Sequence, residues 1–138
     1  MSNVLVTPPV QGAWTTFNTT LSQPGSVAFT QTRSSYCVIG KTCIYSYYLS
    51  VTGTGTTNNN ITIALPLTAA SSNVFSGFGG WYNAGATLTH AGGHTTASTT
   101  TISLIKEASF PGSYFGKDPL AALGNGDVIA GTVVYEIA

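Results

Sequence analysis

Charge is what this chain has least of. Only 6% of its 138 residues are charged, against roughly a quarter in an ordinary soluble domain. Four basic and four acidic side chains cancel to zero formal charge. Arg33, Lys41, Lys106 and Lys117 are dispersed along the sequence, so no basic cluster exists to displace counterions from a phosphate backbone or to grip an anionic bilayer. Nucleic acid and membrane are therefore excluded as partners. Solubility rests on Thr, Ser, Asn and Gly. Such a neutral surface puts little repulsion between copies and favours self-association.

Long apolar runs are also missing. No segment approaches the roughly 20 consecutive apolar residues of a membrane helix, and the N-terminus MSNVLVTPPV has neither the basic nor the apolar region of a secretion signal. A soluble product made in the cytosol is the expectation. Cysteine is nearly absent: Cys37 and Cys43 straddle a turn at Gly40. A three-residue loop there would place them opposite each other, within reach of a bridge; a two-residue loop would offset them. Cytosolic synthesis favours two buried thiols. Two cysteines cannot make a zinc site.

The residues that carry enzyme chemistry are equally sparse. The carboxylates Glu107, Asp118, Asp127 and Glu136 read as a helix cap, a turn residue and isolated groups, not as a glycosidase pair. No G-x-S-x-G elbow occurs, and the glycine pairs around Gly53 and Gly77 lack the lysine and helix of a phosphate loop. His90-Ala-Gly-Gly-His94 is the one spacing that hints at a metal. The glycines suggest a hairpin, across which two imidazoles could approach and a threefold axis could multiply them; the plainer reading is two exposed loop histidines. The expectation is a protein with no catalytic residue and no cofactor.

What is abundant is strand signal. The stretch Tyr36–Pro66 dominates: Cys43, Tyr45, Tyr47, Leu49 and Val51 alternate with the more polar Ile44, Ser46, Tyr48, Ser50 and Thr52, the pattern of a half-buried strand. Ile61, Ile63 and Leu65 form a second inward set, ended by Pro66. Trp14 and Phe17 mark a first core strand, Pro24-Gly25 a type II turn, and Val27 and Phe29 the next strand. Residues 74–83 mix aromatics with glycines, as in a bulged strand whose rings cover glycine backbone. Residues 86–90 and 94–98 read as two short strands. Ile102 with Leu104, and Ile129, Val133, Tyr135 and Ile137, point inward from two more. Asp118 to Leu123 reads as a single helical turn. Some eight to ten strands without an amphipathic helix predict an all-β fold, an antiparallel β-sandwich or jelly roll over residues 13–138.

Residues 1–12 read separately, as an extended arm. Val4, Leu5 and Val6 are apolar with nothing local to bury against, and Pro8 and Pro9 hold the backbone extended; such an arm could add to an edge of its own sheet or lie on a neighbouring subunit or another protein. Trp81, Tyr82, Tyr114 and Phe115 lie in glycine-rich stretches and are candidates for outer-loop stacking on a sugar; the alternative is that these rings pack over glycines or into a subunit interface.

A succession of short motifs runs through the chain: Ala13-Trp14-Thr15-Thr16-Phe17, Tyr36 with Ile39-Gly40-Lys41-Thr42, Val51-Thr52-Gly53-Thr54-Gly55-Thr56, Ile63 with Leu65-Pro66, Gly126-Asp127 with Ile129, and Tyr135-Glu136. In order and spacing this resembles the small β-domains that end bacteriophage tail-fibre and virion surface proteins. The resemblance implies a jelly-roll-like homotrimer without enzymatic activity, located on the virion surface after synthesis in the host cytoplasm. Such domains are usually carried on a shaft, and this sequence has only a short arm before the domain. It is thus similar to stand-alone capsid decoration, or cement, proteins, whose partner is the major capsid protein or another virion protein. The alternative implied is a tail or fibre tip that recognises a host-surface glycan.

Overall fold

A computed structural model describes residues 13–72, 75–96, 98–106, 114–117 and 120–138. Among them there is no helix. Nine strands are present: β1 (Thr15–Thr16), β2 (Leu21–Ser22), β3 (Phe29–Ile39), β4 (Thr42–Val51), β5 (Thr62–Ala64), β6 (Phe75–Asn83), β7 (Leu88–Thr96), β8 (Thr101–Lys106) and β9 (Val128–Glu136). They form one antiparallel sheet in the order β1, β3, β4, β9, β6, β7, β8, β5, β2.

Chain connectivity forces this sheet to curl. β1 and β2 are its two edges, yet only Phe17 to Thr20 lie between them. Extended chain from Thr16 to Leu21 reaches at most about 18 Å, whereas nine strands laid flat would put the edges about 38 Å apart. The sheet therefore bends into a half-barrel until the linking segment spans its seam. That segment bonds to both sides: the Phe17 amide donates to the Ser34 carbonyl of β3 at 2.9 Å, and the Thr19 hydroxyl donates to the Ala64 carbonyl of β5 at 2.9 Å.

The inside of the curl is the core, and period-two alternation decides which side chains enter it. Cys43, Tyr45, Tyr47, Leu49 and Val51 of β4 are all buried, joined by Ile61 just before β5 and by Ile63, Ile102, Leu104, Ile129 and Val133 from the other strands. Each was an inward position in the sequence pattern. Trp14 is the exception: it is 52% exposed, because it precedes the two-residue β1 on the outer side and meets the Arg33 guanidinium, 5.6 Å from its ring centre. Phe17 does reach the core, edge-on to Tyr45.

The hairpin between β3 and β4 has a two-residue loop. Ile39 pairs with Thr42, and Gly40 takes the first central position with φ +60°, as a type II′ turn requires. This answers the cysteine question: Cys37 lies opposite Ile44 and Cys43 opposite Val38, so the two thiols point to opposite faces, and both are free and buried. Gly25, at φ +78°, fits the type II turn expected after Pro24.

Two expectations are corrected here. Residues 88–96 are one continuous strand, not two joined at the glycines, because Gly92 lies where a Cβ would strike the Ile105 carbonyl oxygen and approach the Phe115 ring. A glycine here marks close approach of a neighbouring strand, not a turn. The helical turn expected over Asp118 to Leu123 is also not seen among its described residues, 120–123, which run without regular structure. Their backbone is claimed by Gln23. This fully buried amide donates to the Asn59 carbonyl at 3.2 Å and the Ala121 carbonyl at 2.9 Å, and accepts from the Leu123 amide at 2.7 Å. Gln23→Ala would strand these groups and is expected to lower stability by about 2–3 kcal/mol, read as a drop in urea midpoint; an unchanged midpoint would refute the role.

The bulge expected among the glycines of β6 is present. The register between β6 and β7 shifts between Ser76 and Phe78, with Gly77 at φ +66°. Its consequence is directional: Phe78, Gly80 and Tyr82 share the outer face, and Gly79 and Trp81 the inner.

Candidate functional site

The arm residues Val4, Leu5, Val6, Pro8 and Pro9 lie outside the described residues. The other residues singled out from sequence are separated by the fold. Trp81 and Phe115 are 0% and 1% exposed, which overturns their reading as outer-loop rings: neither can stack on a sugar. Trp81 points into the curl from β6, where its indole N–H donates to Asp127 Oδ2 at 3.0 Å and its ring meets Phe115 and His90. Phe115 covers Gly92, as the packing of rings over glycines predicts. Tyr114 is half-buried and bridges to Ile105 of β8. Only Tyr82 stays on the surface, 38% exposed.

The histidines do not form a metal pair. Both face inward from β7, four residues apart on one strand, a separation of about 13 Å. His94 is fully buried, its Nε2 2.6 Å from Tyr47 Oη, and it covers Gly79 and Gly131, where a Cβ would stand 2.6 and 2.8 Å from the ring. Reading them as exposed loop residues is overturned as well. Among the described residues no group of three or more His, Cys, Asp and Glu side chains could hold a metal ion.

Several interior polar side chains are hydrogen-bonded to the backbone or to one another. Asp127 is 2% exposed; beyond the indole bond, its Oδ1 accepts from the Ala84 amide at 2.9 Å and its Oδ2 from the Gly124 amide at 2.9 Å. Tyr45 Oη meets Ser34 Oγ at 2.8 Å. Burial holds the Tyr45 phenol above its ordinary range, partly offset by that bond, and lifts Tyr47 well above it. Tyr135 is pushed up by burial and by the neighbouring Cys43, against the Leu67 amide, which donates to its hydroxyl at 3.2 Å; that hydroxyl in turn donates to the Leu67 carbonyl at 2.8 Å. Burial likewise raises the Cys43 thiol. These are the attachments of a framework.

The outer face is different. On β4, β9 and β6 the outward positions align in rows: Ser50, Val128 and Tyr82; then Tyr48, Ala130 and Gly80; then Ser46, Thr132 and Phe78. None is charged. Phe78 is 76% exposed, Tyr48 40% and Tyr82 38%, with Val134 at 44% one row further along β9. Because Gly80 and Ala130 are small, the surface sinks beside the Tyr82 ring into a groove of about 290 Å³, lined by Gly80, Tyr82, Thr89, Val128 and Ala130. Phe78 stands beside it, two residues along the same strand.

This surface was only partly visible in the sequence. Tyr82 was singled out, but its neighbours Phe78 and Tyr48 were not. Tyr48 sits in the polar register of β4, and an aromatic among serines was the available signal. In β6 the bulge at Gly77 hides the alternation, and nothing local says whether Trp81 or Tyr82 turns inward. Comparison with known protein families, curated proteins and solved structures finds no match for the chain, so its function is argued from this geometry.

Proposed function

We propose that this chain is a non-enzymatic structural protein of a bacteriophage virion surface, a decoration protein that assembles as a homotrimer and binds the major capsid protein or another virion protein. The observation that carries the assembly part is the outer face of β4, β9 and β6, whose three aligned rows are uncharged and carry exposed aromatic rings. Interface centres are depleted in charge and enriched in aromatic residues, and solvent-exposed apolar patches of this extent mark contact sites. The virion setting rests on the motif resemblance. In this reading the curled sheet acts as a flattened barrel, with the β3, β4, β9, β6 wall facing the β7, β8, β5, β2 wall as the layers of a jelly-roll-like sandwich; the contact of Tyr47 on β4 with His94 on β7 across the interior supports it. The apolar arm residues Val4, Leu5 and Val6, with Pro8 and Pro9, supply the grip on the shell.

A second reading, a tail-tip module for a host-surface glycan, is favoured by the exposed Tyr82 ring beside the groove. Copy number separates the two. Quantitative mass analysis of purified particles is expected to find this chain in simple proportion to the major shell protein. A few copies per particle would assign it to the tail, and absence from particles would refute the virion role.

A further inference from the structure

We propose that the outer face of β4, β9 and β6 is the surface on which a second copy of this chain docks, with Phe78 of one copy seated in the groove over Gly80 and Ala130 of the other. This deepens the assembly reading above and rests on it only for the statement that copies associate; it needs no virion.

The argument is one of self-complementarity. A single face carries both a projection and a depression. Phe78 exposes 76% of its surface, an unusual position for a ring that buries some 150–250 Å² when enclosed. The adjoining groove, at about 290 Å³, lies at the bottom of the range for small-molecule pockets, roughly 300–1,000 Å³. That is ample for one aromatic ring and small for an extended ligand. Its floor is glycine and alanine and its walls are Tyr82 and Val128, so a phenyl ring meets apolar surface on several sides.

Charge points to the same occupant. A partner of opposite charge would need ionised groups to meet, and the outward rows of this face hold none; Arg33 and Glu136 lie only at its margins. The chain's zero formal charge leaves no long-range repulsion between copies. Area contributes as well: the three strands, of about nine residues each, present a flat projection of about 430 Å², about half of the roughly 800 Å² per partner of a stable interface. Such a contact can be reciprocal, giving a twofold dimer, or head-to-tail, closing a ring such as a trimer.

The test uses the full purified chain in sedimentation velocity over a concentration series, with Phe78→Asp, which removes the projection, and Ala130→Leu, which fills the groove. Both positions face outward, so each variant is expected to keep the wild-type circular dichroism; should either unfold, the other carries the measurement. The wild type is expected to associate, and each variant to weaken association by about 30- to 1,000-fold. Mixing the variants is expected to restore part of it, because the Ala130→Leu copy still offers Phe78 and the Phe78→Asp copy still offers an open groove. A wild type that stays monomeric, or an association that neither variant weakens, overturns the proposal. A monomer that binds neutral oligosaccharide on a glycan array and loses it on Phe78→Asp overturns it in favour of a carbohydrate site.

Discussion

Replacing Asp127 by alanine is expected to destabilise the protein by about 4 kcal/mol, more than any single outer-face change. The carboxylate accepts three N–H groups, from the Trp81 indole and from the amides of Ala84 and Gly124. A hydrogen bond to a charged group contributes about 1.5–3 kcal/mol, and a buried donor left unpaired loses its full desolvation energy; the three are not additive, so their sum is an upper bound. For a chain of this length about 4 kcal/mol corresponds to about 10–15 °C in melting temperature. The loss has a structural address. Trp81 is on β6, Ala84 opens the turn into β7, and Gly124 precedes β9, so one side chain ties together the ends of neighbouring strands. A double-mutant cycle with Trp81→Phe, which keeps most of the ring and deletes the indole N–H, is expected to show coupling above about 1 kcal/mol. If Asp127→Ala melts within a few degrees of wild type, the carboxylate is not the tie described here.

The second large effect is alkaline instability. Tyr45, Tyr47 and Tyr135 are held protonated in the core above the usual phenol range, whereas in the unfolded chain each titrates near pH 10. Above that pH the unfolded state sheds protons that the folded state keeps, and stability falls as pH rises. The stabilisation is complete below about pH 10 and is lost as pH climbs toward the folded-state values, at up to about 1.4 kcal/mol per pH unit for each phenol, or about 4 kcal/mol per unit for the three. Cys43, raised the same way from a lower starting point, brings the onset forward. Since a domain holds only about 5–15 kcal/mol in all, cooperative unfolding is expected within two or three pH units of the onset. Urea midpoints measured in steps above neutrality test this: a flat profile from about pH 9 to about pH 12 refutes it. Tyr47→Phe should reduce the slope by about a third while lowering the starting stability, because the hydrogen bond between Tyr47 Oη and His94 Nε2 is lost.

These two predictions reverse part of what local sequence suggests. Trp81, in a glycine-rich stretch, reads as an exposed ring, and Asp127, after Gly-Asn-Gly, as a turn residue. Each reading uses only neighbours in the chain. Their partnership spans 46 residues, and no local pattern carries it. The histidines are a parallel case. Two glycines between them imply a turn, but in this sheet glycine is needed where a neighbouring strand or a ring comes close, as the Ile105 carbonyl does at Gly92 and the His94 ring does at Gly79 and Gly131.

What the sequence by itself determined is the all-β class, the inward sets of β4 and β9, the II-type turn at Gly25 and the bulge near Gly77. These follow from period-two alternation and from the backbone freedom of glycine, which act over a few residues. Strand order was beyond its reach, and with it the curl of the sheet, the burial of Trp81 and Phe115, and the alignment of Tyr48, Phe78 and Tyr82 on one outer face. Those are decided by which strands become neighbours. That choice depends on packing between residues far apart in the chain, and here on the short span from Thr16 to Leu21 that draws the two edges of the sheet together.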